Sequence, residues 1–117
     1  LCTVDYYMKA IDYMRKHINN PHFYVFTDNP CWVKDNLPEF EYMLVDWNEV
    51  SGKRNFRDMQ LMSCAKHNII GNSTYSWWAA WLNANQDKIV VGPKRFFNPI
   101  NSFFSTCDIM CEDWISL

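Results

Sequence analysis

The chain has 117 residues, of which 49% are apolar, 21% charged and 17% aromatic, with six Trp. A chain of this size folds to roughly 6,700 Å² of surface from about 20,000 Å² unfolded, enough for one domain with its own core and no obligatory disulfide or metal. These proportions exclude a disordered tail, a collagen-like repeat and a coiled coil.

Eleven Lys and Arg oppose thirteen Asp and Glu, a net charge of −2, and no basic run exceeds a pair such as Lys94-Arg95. That balance argues against general affinity for nucleic acid or an anionic membrane. No apolar stretch reaches the roughly 18 residues that span a bilayer. Asp5 and Lys9 interrupt the first residues, so they do not read as a signal peptide. Cys2, Cys31, Cys64, Cys107 and Cys111 are odd in number, scattered, and without a CxxC. They are expected to be reduced, mostly buried thiols of a cytosolic protein, with no zinc site.

In chain order, Val4, Tyr7, Met8, Ile11, Met14 and Ile18 recur at helical spacing after Thr3, a candidate N-cap, and predict a helix over 4–19. Asn19-Asn20-Pro21 ends it. His22 to Thr27 reads as a strand, and Asn29-Pro30 as the start of a short helix that stops before Pro38. Tyr42 to Val45 is a second strand and residues 51–54 a polar loop. Phe56, Met59, Met62 and Lys66, with Leu61 and Ala65 beside them, predict a mostly buried helix over 56–66. Asn68 to Ile70 is a third strand, 71–74 a turn, and Tyr75 to Leu82 a helix too apolar to be one-sided. Lys88 to Val91 is a fourth strand. Residues 96–106 read as irregular, and 112–117 as a last helical turn.

The order α-β-α-β-α-β-α-β implies right-handed crossovers and a mostly parallel sheet in a single α/β domain. The series opens on a helix and at Leu1 without a Met, so the chain is expected to be part of a longer protein whose preceding segment holds the first strand.

Ligands of such a sheet sit beyond the carboxyl ends of its strands. Three stretches fall there: Thr27-Asp28-Asn29, Asp46-Trp47-Asn48 and Gly71 to Ser76. The third runs from strand to helix through small and hydroxyl residues. Ser73 or Thr74 there caps the helix, or the free amides and the hydroxyls of Ser73, Thr74 and Ser76 bind a phosphate. It is not a P-loop, and with three Gly in the chain there is no dinucleotide fingerprint. Asp58, in a first helical turn, either favours the helix dipole or accepts N–H donors of a purine or hydroxyls of a ribose. Asp28 either caps the Pro30 helix or faces a ligand. Trp77, Trp78 and Trp81 read as core, His17 and His22 as surface, and His67 as partly buried structure. No Ser-His-Asp triad or paired-carboxylate site is visible.

Asp58-Met59-Gln60-Leu61-Met62-Ser63-Cys64-Ala65-Lys66-His67-Asn68-Ile69-Ile70 and the following Gly71-Asn72-Ser73-Thr74-Tyr75-Ser76-Trp77-Trp78 resemble the donor-binding region of family 11 glycosyltransferases, the α-1,2-fucosyltransferases. Tyr6-Tyr7, Lys9-Ala10-Ile11, Thr27-Asp28, Trp32-Val33-Lys34, Val45-Asp46 and Lys88 to Val91 extend the resemblance over nearly the whole chain. It departs from the family pattern in the spacing of Cys64, in Tyr75 where Phe is usual, and in Gly71. The family's His-x-Arg-Arg-x-Asp motif and its acceptor-binding half are absent.

The resemblance implies a three-layer, Rossmann-like domain, the C-terminal half of a GT-B glycosyltransferase. It implies a donor site for GDP-fucose made by Asp28, Asp58, Asn72, Ser73, Thr74, Tyr75 and Ser76, with Asp58 on the guanine side and no metal cofactor. It also implies that no catalytic residue lies in this part, that the missing half is the partner, and that the piece alone is inactive. The acceptor would be a galactose-containing glycan, and the place the cytoplasm or the periphery of its membrane. The alternative is a non-catalytic α/β module that binds a nucleotide or a partner.

Overall fold

Local sequence sets most element boundaries in the computed structural model, which describes residues 2–38, 40–49, 51–97, 105 and 108–117. Helix α1 (Val4–His17) starts where Thr3 Oγ1 accepts the Tyr6 N–H at 3.2 Å. Asp5 in its first turn and Arg15, Lys16 and His17 in its last complement the helix dipole. It ends two residues earlier than the spacing predicts. Ile18 turns to extended backbone and Asn20 adopts a φ of 51°, a left-handed conformation that Asn tolerates.

Strands β1 (Phe23–Phe26) and β2 (Tyr42–Val45) pair in parallel, Phe23 opposite Tyr42 and Phe26 opposite Val45. Helix α2 (Pro30–Asn36) connects them. Asn29, not Asp28, caps it: Asn29 Oδ1 accepts the Trp32 N–H at 3.1 Å, with Pro30 in the first turn. The polar loop tightens into one 3₁₀ turn, Gly52–Arg54, entered through a φ of 83° at Gly52. Helix α3 (Arg57–Ser63), strand β3 (Asn68–Ile69), helix α4 (Thr74–Leu82) and strand β4 (Val90–Gly92) follow. Ser73 caps α4, its side chain accepting the Tyr75 N–H at 3.2 Å.

Several expectations are corrected. Residues 112–117 form strand β5 (Ile115–Ser116), not a helical turn, because the segment meets an edge: Val91 pairs with Ile115 and Gly92 with Ser116 in parallel. The Leu117 N–H donates to the Gly92 carbonyl at 3.0 Å. Helix α3 spans 57–63 rather than 56–66, and none of its residues is fully buried, since Phe56 and Leu61 face solvent. Of the three Trp of α4, Trp77 is half-buried and Trp78 and Trp81 are exposed, as the helix buries Ala79 and Ala80 instead. The thiols are less buried than expected: Cys31 and Cys64 are exposed and Cys2 and Cys111 half-buried. Most of the irregular stretch over 96–106 lies outside the described residues.

All described pairings are parallel, as the alternation predicts, but they form two sheets, β1-β2 and β3-β4-β5. Helix α1 bridges the two. Tyr6, Ala10 and Met14 pack on Val91, with Ile69 on one sheet and Phe23 on the other against the same cluster. The Tyr6 hydroxyl donates to the carbonyls of Ile70 and Val91 at 2.6 and 3.2 Å, spanning the ends of β3 and β4. A second cluster joins Ile70, Ala80, Val90 and Phe96, flanked by Trp77 and Trp114.

These contacts fix directions. The start of α1 lies at the carboxyl end of β3, where the Cys2 N–H donates to Asn72 Oδ1 at 3.1 Å. The end of α1 leads into β1, with the Arg15 guanidinium 5.8 Å from the Phe23 ring centre. Strand β1 therefore runs back along α1, in the same direction as β3. The carboxyl ends of both sheets open on one side.

Candidate functional site

At that side the facing edges of β1 and β3 enclose a cleft of about 760 Å³, within the usual range for small-molecule sites. One wall is Thr27, Asp28 and Asn29 after β1. The other is Gly71, Asn72, Ser73, Tyr75 and Ser76 at the passage from β3 into α4, with Asn55, Asp58 and Met62 beside it. Two of the three stretches singled out in the sequence thus meet. The second, Asp46-Trp47-Asn48, is not part of the lining, but it reaches the site through one bond: Asn48 Nδ2 donates to Asp58 Oδ1 at 2.7 Å.

Each predicted site residue has a distinct place. Ser73 Oγ accepts the Tyr75 N–H, so the capping reading holds, and its own hydroxyl proton has no acceptor among the described residues. The Trp77 N–H is taken by the Ser73 carbonyl at 3.0 Å. In the first turn this leaves the Thr74 and Ser76 amides without a partner among the described residues, the usual condition of a helix start. The Ser76 hydroxyl donates to the carbonyls of Ser73 and Gly71 at 3.0 and 3.3 Å, so it can only accept from a ligand. The Thr74 side chain is exposed and does not line the cleft. Asn72 is held by Cys2, and Asp28 is exposed on the opposite wall.

Tyr75 is a strut. Its hydroxyl accepts the Met59 N–H at 2.8 Å and donates to the Asn55 carbonyl at 2.5 Å. Phe56 has no side chain that caps α3, so this tyrosine supplies the cap from the next helix and sets Asp58 against the start of α4. Partial burial raises the phenol's pKa, and the Asp58 carboxylate adds to the rise. Tyr7, deeper in the cleft beside Gly71, is pushed up to about 12 by burial and by the neighbouring Cys2.

Sequence reasoning gave no role to Asn48, Asn55 or Cys2. Asn48 lay in a stretch already placed at a strand end, but its bond to Asp58 depends on a loop path that no local pattern encodes. Among the described residues, no three His, Cys, Asp or Glu gather as a metal-holding group, and no helix is long and apolar enough to cross a membrane.

A small α/β domain with parallel sheets, and with a helix start and a carboxylate on one wall of a cleft, is compatible with a fragment of a glycosyltransferase. The chain belongs to glycosyl transferase family 11, whose sequence model matches residues 1–117. It is 41% identical over 115 residues to the O-antigen biosynthesis glycosyltransferase WbnK of Escherichia coli, covering 97% of this chain and 36% of that protein. It is 37% identical over 119 residues to an alpha-1,2-colitosyltransferase of Escherichia coli, covering 100% of this chain and 40% of that protein. The chain thus spans less than half the length of either relative. No solved structure matches it significantly.

Proposed function

We propose that the cleft is the donor site of a glycosyltransferase and takes a nucleoside-diphosphate sugar, GDP-fucose on the family resemblance. The observation that carries this is the start of α4, where Ser73, Tyr75 and Ser76 line one cleft together with Asp58 and the Ser76 amide has no partner among the described residues. The diphosphate lies at the Ser73–Ser76 turn, where the amides and the helix dipole face negative charge. Asp58, steadied by Asn48, accepts N–H donors of the base.

In the transfer, an acceptor hydroxyl forms a bond to the sugar C1 as the C1–O bond to the diphosphate breaks, with inversion. The leaving diphosphate takes the electron pair and gains charge, which the Ser76 amide and the Ser73 hydroxyl stabilise. The hydroxyl's proton leaves to a base. Asp28, exposed on the facing wall, is a candidate for that base. In this reading the chain is the C-terminal, donor-binding half of a GT-B enzyme. The other half supplies the acceptor site, and the acceptor is a galactose-containing glycan joined through an α-1,2 linkage. The relative named for colitosyl transfer favours colitose as a second candidate for the donor sugar.

The test is titration of GDP into the protein with amide signals as the readout. The expected result is shifts at Ser73 to Ser76 and Asp58. Shifts confined to other residues overturn the reading. On the full-length protein, turnover of GDP-fucose with a panel of β-galactosides separates fucosyl transfer from transfer of another sugar.

A further inference from the structure

We infer that the far end of α4 carries a second, non-catalytic binding site, a tryptophan platform that takes one neutral pyranose unit of a glycan. It shares no lining residue with the larger cleft and does not depend on the donor reading.

Trp81 stands in the last turn of α4, eight residues from Ser73 and so roughly 12 Å along the helix axis from the larger cleft. A smaller cleft of about 310 Å³ opens there, at the lower end of the range for small-molecule sites. Its lining is Trp81, Gln86, Lys88, Cys111, Asp113 and Trp114. The aromatic part is built on a stack. The Trp77 ring lies parallel to Trp81 within 10°, 5.4 Å between centres, and meets Trp114 at 5.6 Å. Trp77 is itself anchored, its indole N–H donating to the Ile109 carbonyl at 2.8 Å. The stack covers one face of Trp81 and leaves that residue 53% exposed. A broad ring held in place yet open to water is apolar surface that a ligand can cover without ordering it first.

The charges of the cleft select the ligand. The Asp113 carboxylate repels a phosphate or an anionic headgroup. The Lys88 ammonium repels a cation, so the rings are not a cage for one. Lys88 also has no proton to give, because it donates to the carbonyls of Ala80, Trp81 and Asn83 at 2.8, 3.4 and 2.8 Å. That leaves the Asp113 carboxylate and the Gln86 carboxamide, both exposed and without a side-chain partner among the described residues. These two groups beside a flat ring match a pyranose. The C–H groups of one sugar face pack on the indole, and neighbouring hydroxyls donate to Asp113 and exchange hydrogen bonds with Gln86. A galactoside, with three C–H groups on one face, suits the platform. In a member of a glycosyltransferase family, a glycan held here stays beside the protein between turnovers, at a raised local concentration.

The test titrates methyl β-galactoside into the full-length protein encoded by the gene, with the tryptophan indole N–H signals as the readout. Trp81 and Trp114 are expected to shift together at roughly millimolar sugar, and Trp78 to stay in place. Trp81→Ala is expected to abolish the Trp114 shift. Asp113→Asn keeps every ring and is expected to weaken binding roughly fivefold. Trp78→Ala leaves sugar binding unchanged, and GDP binding is unchanged in all three variants. Four results overturn the proposal: no sugar-dependent shift at Trp81 and Trp114, a Trp81 indole already shielded from solvent in the full-length protein, tighter binding of inorganic phosphate or tetramethylammonium than of the sugar, or shifts produced by phosphatidylglycerol vesicles and not by the sugar. Loss of GDP binding with the sugar shifts intact counts against the donor site and not against the platform.

Discussion

The hydroxyl of Tyr75, on the first turn of α4, accepts the backbone N–H of Met59 on the first turn of α3 at 2.8 Å. One side chain thus holds the two helix starts that flank the cleft at a fixed separation. Replacing Tyr75 with Phe keeps the ring and removes both hydroxyl bonds. The expected cost is about 1–2 kcal/mol, the worth of a lost cap with a second bond. Faster exchange of the Met59 amide and a lower denaturant midpoint check it. Unchanged exchange at Met59 shows that the bond does not hold α3.

The Asp58 carboxylate and the α4 start are proposed to contact different parts of one ligand. Asp58→Ala is expected to weaken GDP binding about tenfold, the scale of one hydrogen bond to a charged group, and to leave binding of inorganic phosphate nearly unchanged. Asn48→Ala removes the bond that steadies Asp58 and is expected to weaken GDP binding less. Calorimetric titration of both variants with both ligands decides the matter. Equal losses for GDP and phosphate remove Asp58 from the base side.

Gly71 sits where the chain leaves β3 for α4, and a Cβ placed there meets Tyr7 Oη at 2.9 Å. Gly71→Ala is expected to cost about 1–3 kcal/mol through overpacking. Tyr7→Phe deletes the obstructing oxygen. The double variant is therefore expected to lose less stability than the two single losses added together. Additive losses in chemical denaturation argue that the crowding lies elsewhere.

His67 offers a pH signature. Its Nδ1 accepts the Ile89 N–H at 2.9 Å, which requires the neutral ring. Burial, with Lys66 nearby, lowers its pKa from 6.5. A depressed histidine binds fewer protons folded than unfolded, so its contribution is full above pH 6.5 and is lost as pH falls towards the folded value. Stability is expected to fall as pH drops below 6.5, and His67→Gln to flatten that slope. An unchanged slope in the variant assigns it to other groups.

Much of the fold was legible because its signals are local. Thr3 and Asn29-Pro30 cap their helices within one turn, and Tyr42 to Val45 forms the strand its composition predicts. The failures share a cause: the partner that decides the structure is distant in sequence. Helix α3 takes its cap from Tyr75, sixteen residues on, so Phe56 gives no local sign of a start. Strand β5 exists because Gly92 offers an edge to Ser116. Trp78 and Trp81 read as core by composition, but α4 turns its alanines to the sheet. At the site, the Ser73 cap was visible in the hydroxyl-rich turn. The inward commitment of the Ser76 proton and the Asn48 to Asp58 bond were not, because both depend on the folded path of the backbone.

Behind the cleft, α3, β3 and α4 are stitched by asparagines. Asn83 Nδ2 donates to Asn68 Oδ1 and to the Ala65 carbonyl at 2.7 and 2.8 Å, and Asn68 Nδ2 donates to the Met62 carbonyl at 2.8 Å. Carboxamides neither titrate nor attract counterions, so this seam is indifferent to ionic strength and to acid across the physiological range. Acid therefore acts beside this seam, at the His67 imidazole that accepts the Ile89 N–H just before β4, and not on the carboxamide bonds that join α3, β3 and α4.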